Sequence, residues 1–225
     1  MPRLRTELRS LRMGRLWVAY ATTGLTVAAN FAIFSYLGAL LEDVTGISTG
    51  LVPALLALYG LGALGGLMAG GRTADRAPFT TLLVGTGGVA VASVLVTLAA
   101  GSVGAMVALV FVLGLAGFLT NPVVSARAFG ILGETRTLGG AVNIAAFNVG
   151  ITLAPIVSGL VIGAGLGLAA TGWVAAAFAL AAAGTTLWDR RLTRRHRATT
   201  APSAPSSETA GSGAAAVRCG ESAGT

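Results

Sequence analysis

Residues 77–126 and 137–188 contain no charged side chain, runs of 50 and 52 positions. Two further runs, 16–41 and 44–71, are also free of charge. A lipid bilayer has a hydrocarbon core of about 30 Å, which about 20 apolar residues cross as a helix. The run 16–41 therefore predicts one membrane-spanning helix, and it is longer than the apolar core of a signal peptide. A single helix over 77–126 would be about 75 Å long, so that run must fold back. The pair Gly101-Ser102 marks its turn, and "GAGLG" at 163–167 marks the turn of the last run. Pro53 suits the first turn of a helix beginning near Leu51. The expected helices are 16–41, 51–70, 79–100, 104–126, 138–162 and 168–188.

The placement of arginine tests this count. The chain has fifteen Lys or Arg residues, all arginine, and a net charge of +7. Basic residues collect in cytoplasmic loops. Five arginines precede the first helix, Arg72 and Arg76 fall between the second and third, Arg127 and Arg136 between the fourth and fifth, and six follow the sixth. The alternate loops hold none and carry only Glu42 and Asp43. This split predicts that both termini are cytoplasmic, and it assigns the charge to topology rather than to a nucleic-acid partner. The resulting fold class is an all-α membrane protein of six transmembrane helices, multi-pass in a plasma membrane. Its parts are a basic cytoplasmic segment 1–15, a transmembrane domain 16–188, and a basic, then disordered, cytoplasmic tail 189–225. The stretch "RLRTELRSLRMGR" within 3–15 has the spacing of an interfacial helix.

Composition limits the chemistry. Only 10% of residues are charged, 54% are hydrophobic and 33 are glycine, the profile of helices that approach closely within lipid. The single cysteine, Cys219, and single histidine, His196, both follow the last apolar run. A disulfide within the chain, an intramembrane Cys/His metal site and a Ser-His or Cys-His dyad in the bilayer are all excluded. The chain reads as no enzyme, with no cofactor. No Asp, Glu, Arg or His lies deep within the six expected helices, so a proton carrier of the usual ionisable kind is missing there.

Several polar and small residues stand out. Gly62, Gly66 and Gly70 form a stripe at spacings of four, as do Gly150, Ala154 and Ser158, with Pro155 inside the second stripe. Such stripes bring backbones together, either as ordinary packing or as a moving seam. Asn143 and Asn148 need partners within the membrane. Either a neighbouring helix or a ligand in a wet cavity would supply them. Asn30, Phe34 and Tyr36, with Phe147 on the later helix, combine amides with aromatics, as an amphipathic ligand would require. Packing alone would also account for these residues.

Two stretches carry a family resemblance. "FAIFSYLGALLEDVTGIS", followed by "VPALLALYGLGALGGLMAGGRTADR", resembles the seventh and eighth helices of major facilitator superfamily transporters. "TLGGAVNIAAFNVGITLAPIVSGLVIGAGLGLAATGWVAAA" resembles their eleventh and twelfth. The similarity covers residues 3–190 and is nearest to the drug and sugar exporters of the proton-antiporter branch, including chloramphenicol-efflux-like members. The resemblance implies one six-helix half of a twelve-helix transporter, built from two inverted three-helix repeats. It implies efflux of a small organic molecule by alternating access, with a second six-helix half or a homodimer as partner. Gly71, Arg72, Asp75 and Arg76 resemble the family's cytoplasmic gating loop, although Pro78 and Phe79 replace its second part. Glu134 and Arg136 are the candidate partners of that loop. Gly150, Pro155 and Gly159 resemble the helix-bending motif of the antiporters. The alternative reading is a truncated or accessory membrane protein that does not transport without a second half.

Overall fold

A computed structural model describes residues 14–132 and 136–199, with side chains for 14–130 and 139–193. The expected interfacial helix, Glu134 and the tail from 200 onward lie outside the described residues, as does the side chain of Arg136. Among the described residues there is no sheet, and six helices are long and apolar enough to cross a membrane. They are Gly14–Val44, Thr49–Thr73, Pro78–Ala99, Val103–Gly130, Gly139–Leu166 and Leu168–Thr193, here the first to sixth spans.

The turns sit where local chemistry puts them. Pro53 occupies the first turn of the second span's α-helix, Val52–Thr73, and Pro78 opens the third span. A missing N–H costs nothing at either position. Gly101 and Ser102 separate the third and fourth spans. Gly165 and Gly167 have φ of 85° and 76°, which only glycine adopts without strain, and they end the fifth span.

Three departures from the expected boundaries are informative. The α-helix of the first span stops at Phe34, turns at Ser35 and Tyr36, and resumes as Leu37–Ala39 before a wide turn over Leu40–Val44. In the fourth span, helix Val103–Leu119 is followed by helix Asn121–Leu132, well beyond residue 126. The last helix, Thr171–Thr199, runs past residue 188 through the arginine-rich stretch. Arginine is a good helix former, and the next proline comes only at Pro202.

Glycine sets the packing. The second span lies against the fourth, and the first against the fifth. A Cβ on Gly62, Gly66 or Gly70 would run into the backbone carbonyls of Phe111, Leu115 and Leu119. One on Gly114 would meet the carbonyl of Tyr59. At the other crossing a Cβ on Gly150 would overlap the carbonyl of Gly24. Ala154 is fully buried there, and the Ser158 hydroxyl donates to the Ala32 carbonyl at 2.9 Å. Both small-residue stripes therefore allow direct backbone contact. Large apolar side chains face outward all round: Leu61, Leu64, Val84, Val91, Leu98 and Leu160 are each about 60–70% exposed. Such a surface is stable only in lipid or against another apolar surface.

Candidate functional site

The polar candidates fall into separate groups. In the first group Asn30 is buried on the first span. The Tyr59 hydroxyl donates to its Oδ1 at 3.0 Å. Gly117 makes the room, because a Cβ there would strike the Asn30 side chain. Phe34 stacks on the Tyr59 ring with centroids 4.7 Å apart, and Phe118 meets Tyr59 edge-on at 6.1 Å. Asn30 and Phe34 thus belong to one amide–aromatic cluster joining the first, second and fourth spans. Sequence reading missed Tyr59, its centre. The available signal was a lone tyrosine three residues before Gly62 on the glycine stripe.

The second group lies where two irregular helices meet. Tyr36, at the break in the first span, donates its hydroxyl to the Pro155 carbonyl at 3.1 Å and packs against Gly159. Pro155 removes one backbone donor from the fifth span. The interruption in one helix therefore touches the weakened turn of its neighbour.

The remaining candidates disperse. Asn143 is buried and accepts from the Thr23 hydroxyl at 3.1 Å. Phe147 packs with Leu82, Val123 and Val124. Asn148 is exposed, and its amide donates to the Ile144 carbonyl at 2.9 Å within its own helix. Thr152, one turn on, is exposed on the same face. The fifth span is the least buried of the six: 17% of its most apolar window is buried, against 56% for the first. Asn148 and Thr152 therefore form a polar strip on the most open helix.

The charged residues near the cytoplasmic loops divide sharply. Arg72, Asp75 and Arg76 are exposed, and among the described residues none of them forms an ion pair; Arg72 donates to the Met68 carbonyl at 3.3 Å. The buried charge lies elsewhere. Asp189, its side chain 1% exposed, is bonded to Arg127, itself 13% exposed. Arg15 approaches the other carboxylate oxygen at 3.9 Å. The Arg127 guanidinium also lies over the Phe79 ring, 4.1 Å from its centroid. This cluster draws together the ends of the first, third, fourth and sixth spans. Sequence reading placed Asp189 in the tail. Its signal was a single acid between a long apolar run and an arginine-rich stretch.

A cavity of about 500 Å³ lies among the first, fifth and sixth spans. Its wall holds none of the six polar or aromatic cavity candidates; of the bending motif it includes only Gly150. The described residues contain no group of His, Cys, Asp and Glu arranged to hold a metal.

Six long apolar helices with lipid-compatible exteriors define a multi-pass membrane protein. The comparisons give its family. The Major Facilitator Superfamily model matches residues 4–217, and the chain belongs to that family of transporters, a non-enzymatic class. It is 30% identical over 200 residues to the uncharacterised MFS-type transporter YtbD of Bacillus subtilis, covering 86% of this chain and 50% of that protein. It is 33% identical over 166 residues to the inner membrane transport protein YdhP of Escherichia coli K12, covering 74% and 43%. Identity to the chloramphenicol resistance protein of Streptomyces lividans is 29% over 162 residues, covering 72% and 41%. The chain spans about half the length of the relatives it matches.

Proposed function

We propose that this chain forms one six-helix half of a major facilitator exporter, corresponding to the C-terminal half, and moves a small organic molecule by alternating access. The observation that carries this reading is the pairing of spans. The first packs on the fifth and the fourth on the second. Shifting the first pair by three spans, forward for one member and backward for the other, yields the second pair. Two inverted three-helix repeats produce this relation. Both contacts also use the same device, glycine against backbone carbonyl.

In this reading residues 16–188 form the transport domain, flanked by the basic segment 1–15 and the tail 189–225, with both termini cytoplasmic; Asp189, the first residue of the tail, is bonded to Arg127 of that domain. The strip of Asn148 and Thr152 faces a second six-helix half, on the same polypeptide or another. Polar groups on an otherwise apolar face suit a water-filled pathway between halves. Tyr36, Pro155 and Gly159 provide the place where the first and fifth spans bend. Asn30 and Phe34 shape the first span from behind, through Tyr59, and Asn143 does so through Thr23. Gly71, Arg72, Asp75 and Arg76 serve as the exposed loop that meets the other half. The substrate is an amphipathic small molecule, a class consistent with the chloramphenicol resistance named for one relative. The test is efflux of such a compound from vesicles. The chain combined with a second half should transport it, and Asn148→Leu should abolish that transport while leaving the protein folded. Proton-coupled efflux by the purified chain alone would overturn the half-transporter reading. Assembly without any transport would favour an accessory role.

A further inference from the structure

The end of the fifth span, residues 156–166, is held differently from the chain beside it. Within this segment only Ser158 is buried. Ile156, Leu160 and Leu166 are all largely exposed. The neighbouring end of the first span is the opposite. Leu37, Leu40 and Leu41 are fully buried in one apolar core with Val96, Met106 and Ala175. Both limits of 156–166 are also weak points of the backbone. Pro155 has no N–H to give the Ile151 carbonyl, so one helical hydrogen bond is missing there. At the far end a wide turn over Ile162–Leu166 leads through Gly165 and Gly167, both at positive φ. A few positions at element ends are what hinges use to absorb backbone change.

Two hydroxyls tie this segment to the first span, and each serves a carbonyl at the other helix's irregular turn. The Tyr36 N–H bonds to the Ile33 carbonyl at 3.2 Å. The Ala32 carbonyl thereby loses its usual helical donor, and the Ser158 hydroxyl replaces it at 2.9 Å. In the other direction the Tyr36 hydroxyl donates to the Pro155 carbonyl at 3.1 Å. A Cβ on Gly159 would lie 2.7 Å from that hydroxyl oxygen, so glycine lets the ring come close. Among the described residues no other side-chain hydrogen bond joins 155–166 to another span.

We propose that residues 156–166 form a hinged flap, turning between Pro155 and the Gly165–Gly167 turn, and that the Tyr36 and Ser158 hydroxyls are the latch that holds it against the fixed first span. Opening the flap releases two hydrogen bonds and one small buried side chain. Moving Leu37, Leu40 and Leu41 instead would uncover the core. The hinge and latch stand on these contacts alone; that the flap gates a transport pathway rests on the proposed function. The test is amide hydrogen exchange on the full chain in detergent, resolved by fragment. One hydrogen bond of this kind shifts an opening equilibrium about fivefold. Tyr36→Phe and Ser158→Ala should therefore each speed exchange within 156–162 about fivefold, and together about twentyfold. Fragments 37–44 and 143–150 should keep their parent rates. Tyr36→Phe retains the ring beside Gly159, so that variant folds and carries the test by itself if Ser158→Ala does not. Tyr59→Phe is the control: it deletes a comparable hydroxyl bond, to Asn30, and should leave 156–162 unchanged. Equal acceleration along the whole fifth span, or none within 156–162, overturns the inference. So does the same acceleration from Tyr59→Phe. These readouts do not depend on transport, so failure of the latch and failure of the transport reading are told apart.

Discussion

Replacing Arg127 by leucine should destabilise this protein far more than any change in the exposed arginines nearby. Its guanidinium lies on Phe79 and is bonded to Asp189, whose side chain is 1% exposed. Removing one member of a buried ion pair costs about 3–5 kcal/mol, because the other charge is left without compensation. Lost stacking on Phe79 adds about 0.5–2 kcal/mol. Arg15 remains 3.9 Å from Asp189 and offsets part of this loss, so the expected net cost is about 3 kcal/mol. At about 2–4 °C per kcal/mol for a domain of this size, the thermal midpoint in detergent should fall by about 6–12 °C. Arg15→Gln should cost less than Arg127→Leu, since the Arg15 side chain is 32% exposed, against 13% for Arg127, and lies 3.9 Å from Asp189. The deciding variant is Arg127→Leu combined with Asp189→Leu. Deleting both charges removes attraction and desolvation penalty together and leaves chiefly the lost stacking on Phe79, so the double variant should lie within about 2 kcal/mol of the parent. If it loses as much as the two single variants summed, the pair is not coupled and the account of a buried clasp fails.

Other outcomes follow from the same geometry. Gly66→Leu should drive the second and fourth spans apart and lower the thermal midpoint by at least as much as Arg127→Leu, whereas Gly71→Leu, with open space around its Cβ position, should leave it nearly unchanged. Tyr59→Phe strands the Asn30 amide and should cost about 1–3 kcal/mol, while adding Asn30→Leu should recover part of it; no recovery would discount the hydrogen bond. Reporter fusions after Leu187 should read cytoplasmic and insertions near Gly101 or Gly165 periplasmic, and a reversed signal at any of these sites would refute the proposed orientation.

Much of the architecture was legible in the residues because the bilayer imposes length and charge directly. A 50-residue uncharged run cannot be one crossing, and the Gly101-Ser102 pair near its middle leaves room for a helix on either side. The stripes of Gly62, Gly66 and Gly70 and of Gly150, Ala154 and Ser158 marked close helix contact for the same reason, since spacing by four keeps small residues on one side. The stripes did not reveal their partners. Backbone carbonyls of the fourth span and of Gly24 receive them, and carbonyls leave no mark in a sequence.

Tertiary structure alone assigned the polar side chains. Asn30, Asn143 and Asn148 look alike in sequence, each an amide within an apolar helix. Two are buried against Tyr59 and Thr23, while the third lies exposed on the most open span. Which one a helix hides depends on its rotation against neighbours distant in the chain. The same holds for charge. Asp75 and Arg76 stand together in a loop, yet among the described residues the buried carboxylate is Asp189, joined to Arg127 from 62 residues away. Hydropathy and arginine bias, summed over whole segments, determined the spans from sequence. Partnership between single polar groups depends on distances of a few ångströms, which only the packed bundle decides.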